Sequence, residues 1–278
     1  MPVVLPFPSF RSFLGRRVDP RPLGRVRLII GGLAVARGVE AFRILRLTHA
    51  PDALHLPLIA WLPELDPDLI PALIGVWLVS GLLFTIGWRV RLSGPVLLAA
   101  IGSTLLLDQR TYSNHLYLLW LLVLLLTVGN AGAAAAAGRR RGDVTVPEWA
   151  VTLLKIQLSI VYFFSAATKL NVYFLSGSVL CGTMTGWIAL PASWRTPDVC
   201  SPLAILTVLL EVFLAAAFWL ERWRLLGWIV GISFHVGIIV LLPERVSVQL
   251  VIFALAMVSL YTLFGPARRP RATSRQPA

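Results

Sequence analysis

The chain has 278 residues, of which 57% are hydrophobic and 14% charged, with a mean hydropathy of +0.79. An ordinary soluble domain is about a quarter charged, so these values exclude a disordered chain, a soluble enzyme domain and an ordinary nucleic-acid binder. The net charge of +12, from 25 Lys and Arg against 13 Asp and Glu, therefore reads first as a signal of membrane orientation.

A helix crosses a bilayer core with about 20 apolar residues. In chain order, windows of that character lie at 26–47, 68–87, 93–107, 115–134, 149–170, 202–220, 225–242 and 247–264. They predict an all-α polytopic membrane helix bundle of about eight transmembrane helices. Arginines cluster in alternate connections: Arg11, Arg16, Arg17, Arg21 and Arg25 before the first window, then Arg89 and Arg91, Arg139 to Arg141, Arg222 and Arg224, and finally Arg268, Arg269 and Arg271. The intervening connections are poor in arginine, and the first is acidic, with Asp52, Glu64, Asp66 and Asp68. Eight spans bring every arginine cluster to one face, the cytoplasmic one by the positive-inside rule, with both termini there; seven would scramble the pattern. No cleavable leader is expected before residue 26. The expected organisation is a basic cytoplasmic segment over 1–25, a membrane domain over 26–264 and a basic disordered tail over 265–278. The partner this implies is a lipid bilayer and not nucleic acid.

The longest connection, about 30 residues over 171–201, falls on the exterior side and holds both cysteines, Cys181 and Cys200. In an oxidising compartment they can pair, or remain two thiols. Trp187 and Trp194 in the same stretch suit the outer interface. Glu211–Phe218, the Gly227 and Gly231 pair and the Ala133–Ala137 run read as helix-packing material.

Ionisable side chains inside spans cost about 2.5–3.5 kcal/mol each on insertion scales, so they face a cavity or a partner. In the first window Arg37, Glu40 and Arg43 recur at steps of three on one face, as an internal ion network or as the lining of an anionic or quinone-like site. In the fifth, Lys155, Tyr162, Ser165 and Lys169 follow steps of seven, three and four and share one stripe. These are the only two lysines in a chain otherwise built with arginine. Either can snorkel to an interface, but a desolvated lysine can also surrender its proton and act as a base, which arginine cannot. A third polar group, Asp108 to His115, enters the fourth window, with Asn114 as a candidate helix cap and His115 in the first turn at the depth of Lys169. His235 lies in the outer half of the seventh, with Gly231 one turn earlier and Glu211 in the neighbouring span. The four histidines have no metal-ligand spacing, so no metal is expected, and no phosphate-binding loop, dinucleotide fingerprint or nucleophile elbow is present.

Three stretches carry a resemblance. Leu107-Asp108-Gln109-Arg110-Thr111-Tyr112-Ser113-Asn114-His115-Leu116-Tyr117-Leu118 resembles the Asp-Lys-x-Ser/Thr-x-Asn-Asn-His-x-Tyr-Leu signature of vitamin K-dependent γ-carboxylases. Gln157 to Asn171, with Tyr162-Phe163 and Lys169-Leu170-Asn171, is similar to that family's Tyr-Phe-x-Ala-Gly-x-Lys-Lys-Leu-Asp segment and continues into Phe174-Leu175-Ser176-Gly177. Phe234-His235 matches a late Phe-His pair. Order and spacing agree over residues 26 to about 262, and the chain is identified as a member of the HTTM (horizontally transferred transmembrane domain) superfamily.

The resemblance implies that Lys169 is the base that deprotonates reduced vitamin K or menaquinol and that His115 assists. Asn114, Tyr162, His235 and Arg37 then line the substrate site, toward the exoplasmic face of the cell membrane. In the family a quinol anion reacts with O2 to give the epoxide, and the base formed on that path leads to glutamate carboxylation by CO2. Thr168 replaces the first lysine of the family's pair and Ser113 its first asparagine. The carboxylases also carry a large lumenal domain with no counterpart here, so protein carboxylation by this chain alone is not expected, and a separate lumenal-type partner would have to present glutamate. The alternative is a non-catalytic lipid- or quinone-binding protein or transporter component.

Overall fold

A computed structural model describes residues 10–50, 52–54, 56, 58, 59, 61, 65–133, 144–184, 191–242 and 247–265. Glu64, the Arg139 to Arg141 cluster, Trp187, the arginines of the tail and all but the first alanine of the Ala133–Ala137 run lie outside the described residues. Among the described residues the chain is helical: α1 (Phe10–Gly15), α2 (Arg21–Thr48), α3 (Ile70–Ile86), α4 (Val90–Leu107), α5 (Asn114–Val128), α6 (Glu148–Lys169), α7 (Val172–Leu175), α8 (Ser178–Thr183), α9 (Pro197–Ala217), α10 (Arg224–Leu241) and α11 (Ser247–Tyr261). A small sheet joins two-residue strands antiparallel, Arg17–Val18 with Val146–Pro147.

Each apolar window of the sequence falls on a helix, α2 to α6 and α9 to α11. Among the described residues five stretches are long and apolar enough to cross a membrane: Pro67–Ile86, Val90–Leu107, Glu148–Lys169, Pro197–Ala217 and Glu221–Leu241. Asn114–Val128 and Val248–Phe264 are apolar but shorter. The protein is thus a helical, multi-pass membrane protein. Its surface agrees: Ile205, Leu206, Leu209 and Val212 of α9 and Leu225, Ile229, Ile232 and Val236 of α10 are all exposed. Water would penalise that surface, whereas lipid tails are as apolar as the side chains.

The helix ends differ from the windows where local backbone chemistry intervenes. Helix α2 begins five residues early because Pro22, with its fixed φ and missing N–H, fits the first turn. Helix α5 stops at Val128, ahead of the window's end, where Gly129 leads into Asn130 in the left-handed region (φ 58°). Helix α9 starts at Pro197 with Asp198 in its first turn, so Pro202 lies inside the helix. The long connection therefore contains α7, α8 and the start of α9.

The chain divides into two compact units, one reaching Leu154 and the other running from Lys155 to Phe264, with α6 continuous through the boundary. In the first, α2 packs on α3, α3 on α4 and α4 on α5. Trp77 is fully buried against Gly38 and donates from Nε1 to the Ala34 carbonyl at 2.8 Å. The buried Arg27 donates from Nη1 to the carbonyls of Phe84 (2.6 Å) and Thr85 (2.8 Å), which places a cation on the electronegative C-terminal end of α3. Trp120 donates to the Leu98 carbonyl at 2.9 Å and ties α5 to α4.

In the second unit, Ser159 of α6 donates to the Ala215 carbonyl (2.7 Å) and accepts from the Trp219 indole (2.8 Å). Gly227 faces Ala217 and Phe218, and Gly231 faces the Tyr261 ring. The Tyr261 ring is stacked 4.3 Å from that of Phe218. Small residues at helix contacts let backbones approach, as expected where packing alone drives association. A Cβ on Gly231 would meet Tyr261 Cζ at 2.9 Å and Cε2 at 3.0 Å, inside ordinary contact distance. Gly231→Ala is expected to destabilise the fold by about 1–3 kcal/mol through this overlap. Thermal denaturation in detergent checks it, with a Gly75→Ala control at a position where an added Cβ meets open space.

Candidate functional site

Lys169 is the last residue of α6, and its partners come from its own helix and from α9. Its Nζ donates to Ser165 Oγ at 2.6 Å and to the Ser165 carbonyl at 3.2 Å. It also reaches both carboxylate oxygens of Glu211, at 2.9 and 3.0 Å. Ser165 Oγ in turn donates to Glu211 Oε1 at 2.7 Å, so the three groups close a ring of charge-assisted bonds. The pair is asymmetric: the Glu211 side chain is 4% exposed and the Lys169 side chain 25%. Glu211 is thus the fixed end of the pair, and Lys169 the end a ligand can reach.

The segment after Lys169 is held close. Asn171 caps α7 by accepting from the Phe174 N–H at 2.9 Å. Phe174 packs in a cluster with Ala166, Ala204 and Val208, and its ring centroid lies 5.8 Å from Lys169 Nζ. Gly177, at φ +79°, turns the chain against the backbone of Cys200 and Ser201, an approach that a side chain would block. Cys181 and Cys200 are joined as a disulfide, and Ser201 donates to the Leu175 carbonyl at 2.7 Å.

About two turns along α6 from Lys169, the Tyr162 hydroxyl meets His235 Nε2 of α10 at 2.9 Å and also bonds the Tyr261 hydroxyl of α11. All three side chains are buried. Tyr162 and His235, expected together at a site, do therefore touch. Lys155, the other lysine of the stripe, has its Nζ 5.1 Å from the Phe264 ring centroid.

The remaining expected residues belong to the first unit. Arg37 is buried and ion-paired with Glu40. Arg43, expected in the same network, is exposed. His115 is half-buried in the first turn of α5, within electrostatic range of Arg37. Asn114 is exposed and does not cap α5: Ser113, with extended backbone (φ −147°, ψ 147°), accepts the Leu116 N–H at 3.1 Å, and Asn114 Oδ1 accepts from the Tyr112 hydroxyl at 3.2 Å. His115 lies in the first unit and Lys169 in the second.

Two roles escaped the sequence reading. Glu211 was placed beside His235 but is the partner of Lys169; the available signal was that a carboxylate amid Leu, Val and Phe needs a counter-charge. Asp108 entered only as part of a polar run, yet its side chain is 1% exposed and organises the turn before α5. It accepts from Arg110 Nε (3.0 Å), Arg110 Nη2 (2.7 Å), the Arg110 N–H (2.8 Å) and the Leu56 N–H (3.2 Å). Arg110 also donates to the Thr48 carbonyl at 2.7 Å, which ties this turn to the end of α2. The Arg110 guanidinium holds the Asp108 carboxyl well below the usual carboxylate range, with the two backbone N–H groups adding to the effect against the opposing cost of burial. Among the described residues no group of three or more His, Cys, Asp or Glu is placed to hold a metal ion.

With this geometry in view, the HTTM domain matches residues 15–267, nearly the whole chain, and the protein belongs to that family. No solved structure matches it.

A carboxylate whose folded-state proton affinity is depressed stabilises the fold above its unfolded value of about 4 and loses that contribution only as the pH falls toward the folded value. Asp108→Asn is expected to cost about 2 kcal/mol at pH 7, because Arg110 and the turn lose a charged acceptor. The same gap in denaturation midpoint between wild type and variant is expected at about pH 5, still above the unfolded value. A gap that fails to shrink as the pH is taken below about 4 would show Asp108 to be an ordinary carboxylate.

Proposed function

We propose that this HTTM-family membrane protein acts on a reduced isoprenoid quinone of the vitamin K or menaquinol type, with Lys169 as the base and His115 assisting. The observation that carries the reading is the Lys169 cluster: a quinol hydroxyl meets there an amine, a carboxylate and a serine hydroxyl, beside the face of Phe174. Such a donor set suits removal of a phenolic proton, and an aromatic face suits a quinol ring. The quinol is the substrate, O2 the oxidant, and the products are the epoxide and water. The likeness of Lys169 and His115 to the lysine and histidine of the γ-carboxylases supports the same reaction class. Asn114, Tyr162, His235 and Arg37 are substrate-site residues in this reading.

The alternating arginines support eight spans with both termini in the cytoplasm, which sets the Lys169 end of α6 toward the exoplasmic face of the cell membrane. CO2 capture on a glutamate would need a separate lumenal-type partner that presents the side chain.

One observation favours a second reading, a quinone- or lipid-binding protein without turnover. Lys169 and Glu211 neutralise each other fully, as a tie between α6 and α9 would. The two readings separate when the purified protein is incubated with reduced vitamin K or menaquinol and O2. The expected result is epoxide from wild type and a loss of at least about a hundredfold in Lys169→Ala, the range of a removed general base. Equal product from both proteins would overturn Lys169 as the base. Saturable quinol binding to wild type with no epoxide would establish the second reading.

A further inference from the structure

Among the described residues Glu211 is the carboxylate in contact with Lys169, and three features distinguish their contact from a simple electrostatic tie. Lys169 Nζ meets both carboxylate oxygens at hydrogen-bond distance, 2.9 and 3.0 Å, so a proton can pass to either. Ser165, one turn earlier on α6, holds one of those oxygens at 2.7 Å and the amine at 2.6 Å, so it positions both groups. The carboxylate is buried while the amine is partly exposed, so the pair has an inner end and an outer end. A permanently protonated Lys169 has no lone pair with which to take a proton from anything. A base at this position therefore needs an acceptor of its own within reach.

We propose that Glu211, positioned by Ser165, is the proton acceptor for Lys169, so that the base of the site is a lysine–carboxylate couple. This rests on the reading of Lys169 as the base. In the resting pair Lys169 is the ammonium and Glu211 the carboxylate. One Nζ–H bond breaks and one Oε–H bond forms, giving a neutral amine and a neutral acid with no change in net charge. The amine lone pair then takes the proton of a bound hydroxyl: that O–H bond breaks, an Nζ–H bond forms, and an oxyanion remains beside the restored ammonium. Glu211 keeps the first proton and so carries no negative charge facing the new oxyanion. Consumption of the oxyanion returns the system to the ion pair, and the surplus proton leaves through the exposed amine end. An arginine at position 169 could form the same tie to Glu211 but could not run this exchange.

The test uses the full chain in detergent and exploits its two lysines. Amine-reactive labelling at neutral pH, read by peptide mass spectrometry, reports Lys169 with Lys155 as the internal reference and needs no substrate. In Glu211→Gln the labelling rate of Lys169 relative to Lys155 is expected to rise by about tenfold, the order expected when a partly buried ammonium loses its counter-ion. Glu211→Asp, which restores a carboxylate, is expected to return the rate toward wild type, a rescue that a purely steric role would not produce. Ser165→Ala is expected to raise it by a smaller factor, and denaturation midpoints confirm that each variant is folded. An unchanged Lys169 rate in Glu211→Gln, or equal rates in the Gln and Asp variants, would overturn the proposal. In the quinol assay, Glu211→Gln is expected to lose epoxide with recovery in Glu211→Asp, and full activity in Glu211→Gln would equally overturn it. If wild type makes no epoxide, the functional reading fails while the labelling experiment still decides whether the Glu211 carboxylate sets the protonation of Lys169.

Discussion

An ammonium and a carboxylate in a helix bundle must be neutralised before any other feature of that bundle can exist. Each costs several kcal/mol to take from water, and the cost is recovered only when the opposite charge is near and the remaining hydrogen-bond capacity is filled. Lys169 and Glu211 meet both conditions, since Ser165 fills the acceptor and donor positions that the pair leaves open. Once these three groups are fixed, α6 and α9 have a set register. The cluster of Ala166, Phe174, Ala204 and Val208 then has a place to form beside them. The disulfide from Cys181 to Cys200 and the turn at Gly177 hold the segment that carries Phe174 against the start of α9.

The first unit neutralises its charges by other means. Arg27 is placed on backbone carbonyls at the end of α3, where the helix itself supplies the negative potential. Arg37 and Glu40 pair along one helix; their closest atoms, Arg37 Nη1 and Glu40 Oε2, are in ion-pair contact without hydrogen-bond alignment. Asp108 and Arg110 are neighbours in a turn and bind the end of α2 from there. Arg37 with Glu40 and Asp108 with Arg110 pair within three positions, whereas Arg27 reaches carbonyls 57 and 58 positions away and Lys169 and Glu211 are 42 apart.

That distinction explains what could be read from the chain. Apolar length is a local property, so helices α2 to α6 and α9 to α11 were legible, and so was the stripe of Tyr162, Ser165 and Lys169, because α-helical spacing converts sequence distance into a face. Helix ends were less so: Pro22, Pro197 and the left-handed Asn130 decide them through single backbone angles. Ser113 and Asn114 can both cap a helix, and only the extended backbone at Ser113 selects between them. Helices α7 and α8 are too short to be apolar spans and are held by the Asn171 cap and the disulfide. Glu211 was visible as a costly residue but not as the partner of Lys169, since charge balance calls for a counter-ion without saying which helix supplies it. The meeting of Tyr261 with Tyr162 was hidden for the same reason.

Gly231 and Tyr261 occupy one volume, for the tyrosine ring lies where a side chain at 231 would be. Neither position can therefore drift by itself through evolutionary time. A larger residue at 231 becomes tolerable only after a smaller one has arisen at 261, and that order removes the hydroxyl that meets Tyr162. Among relatives of this chain, the two positions should be inherited as a pair, and lineages that have exchanged the pair should also have released Tyr162 and His235 from constraint.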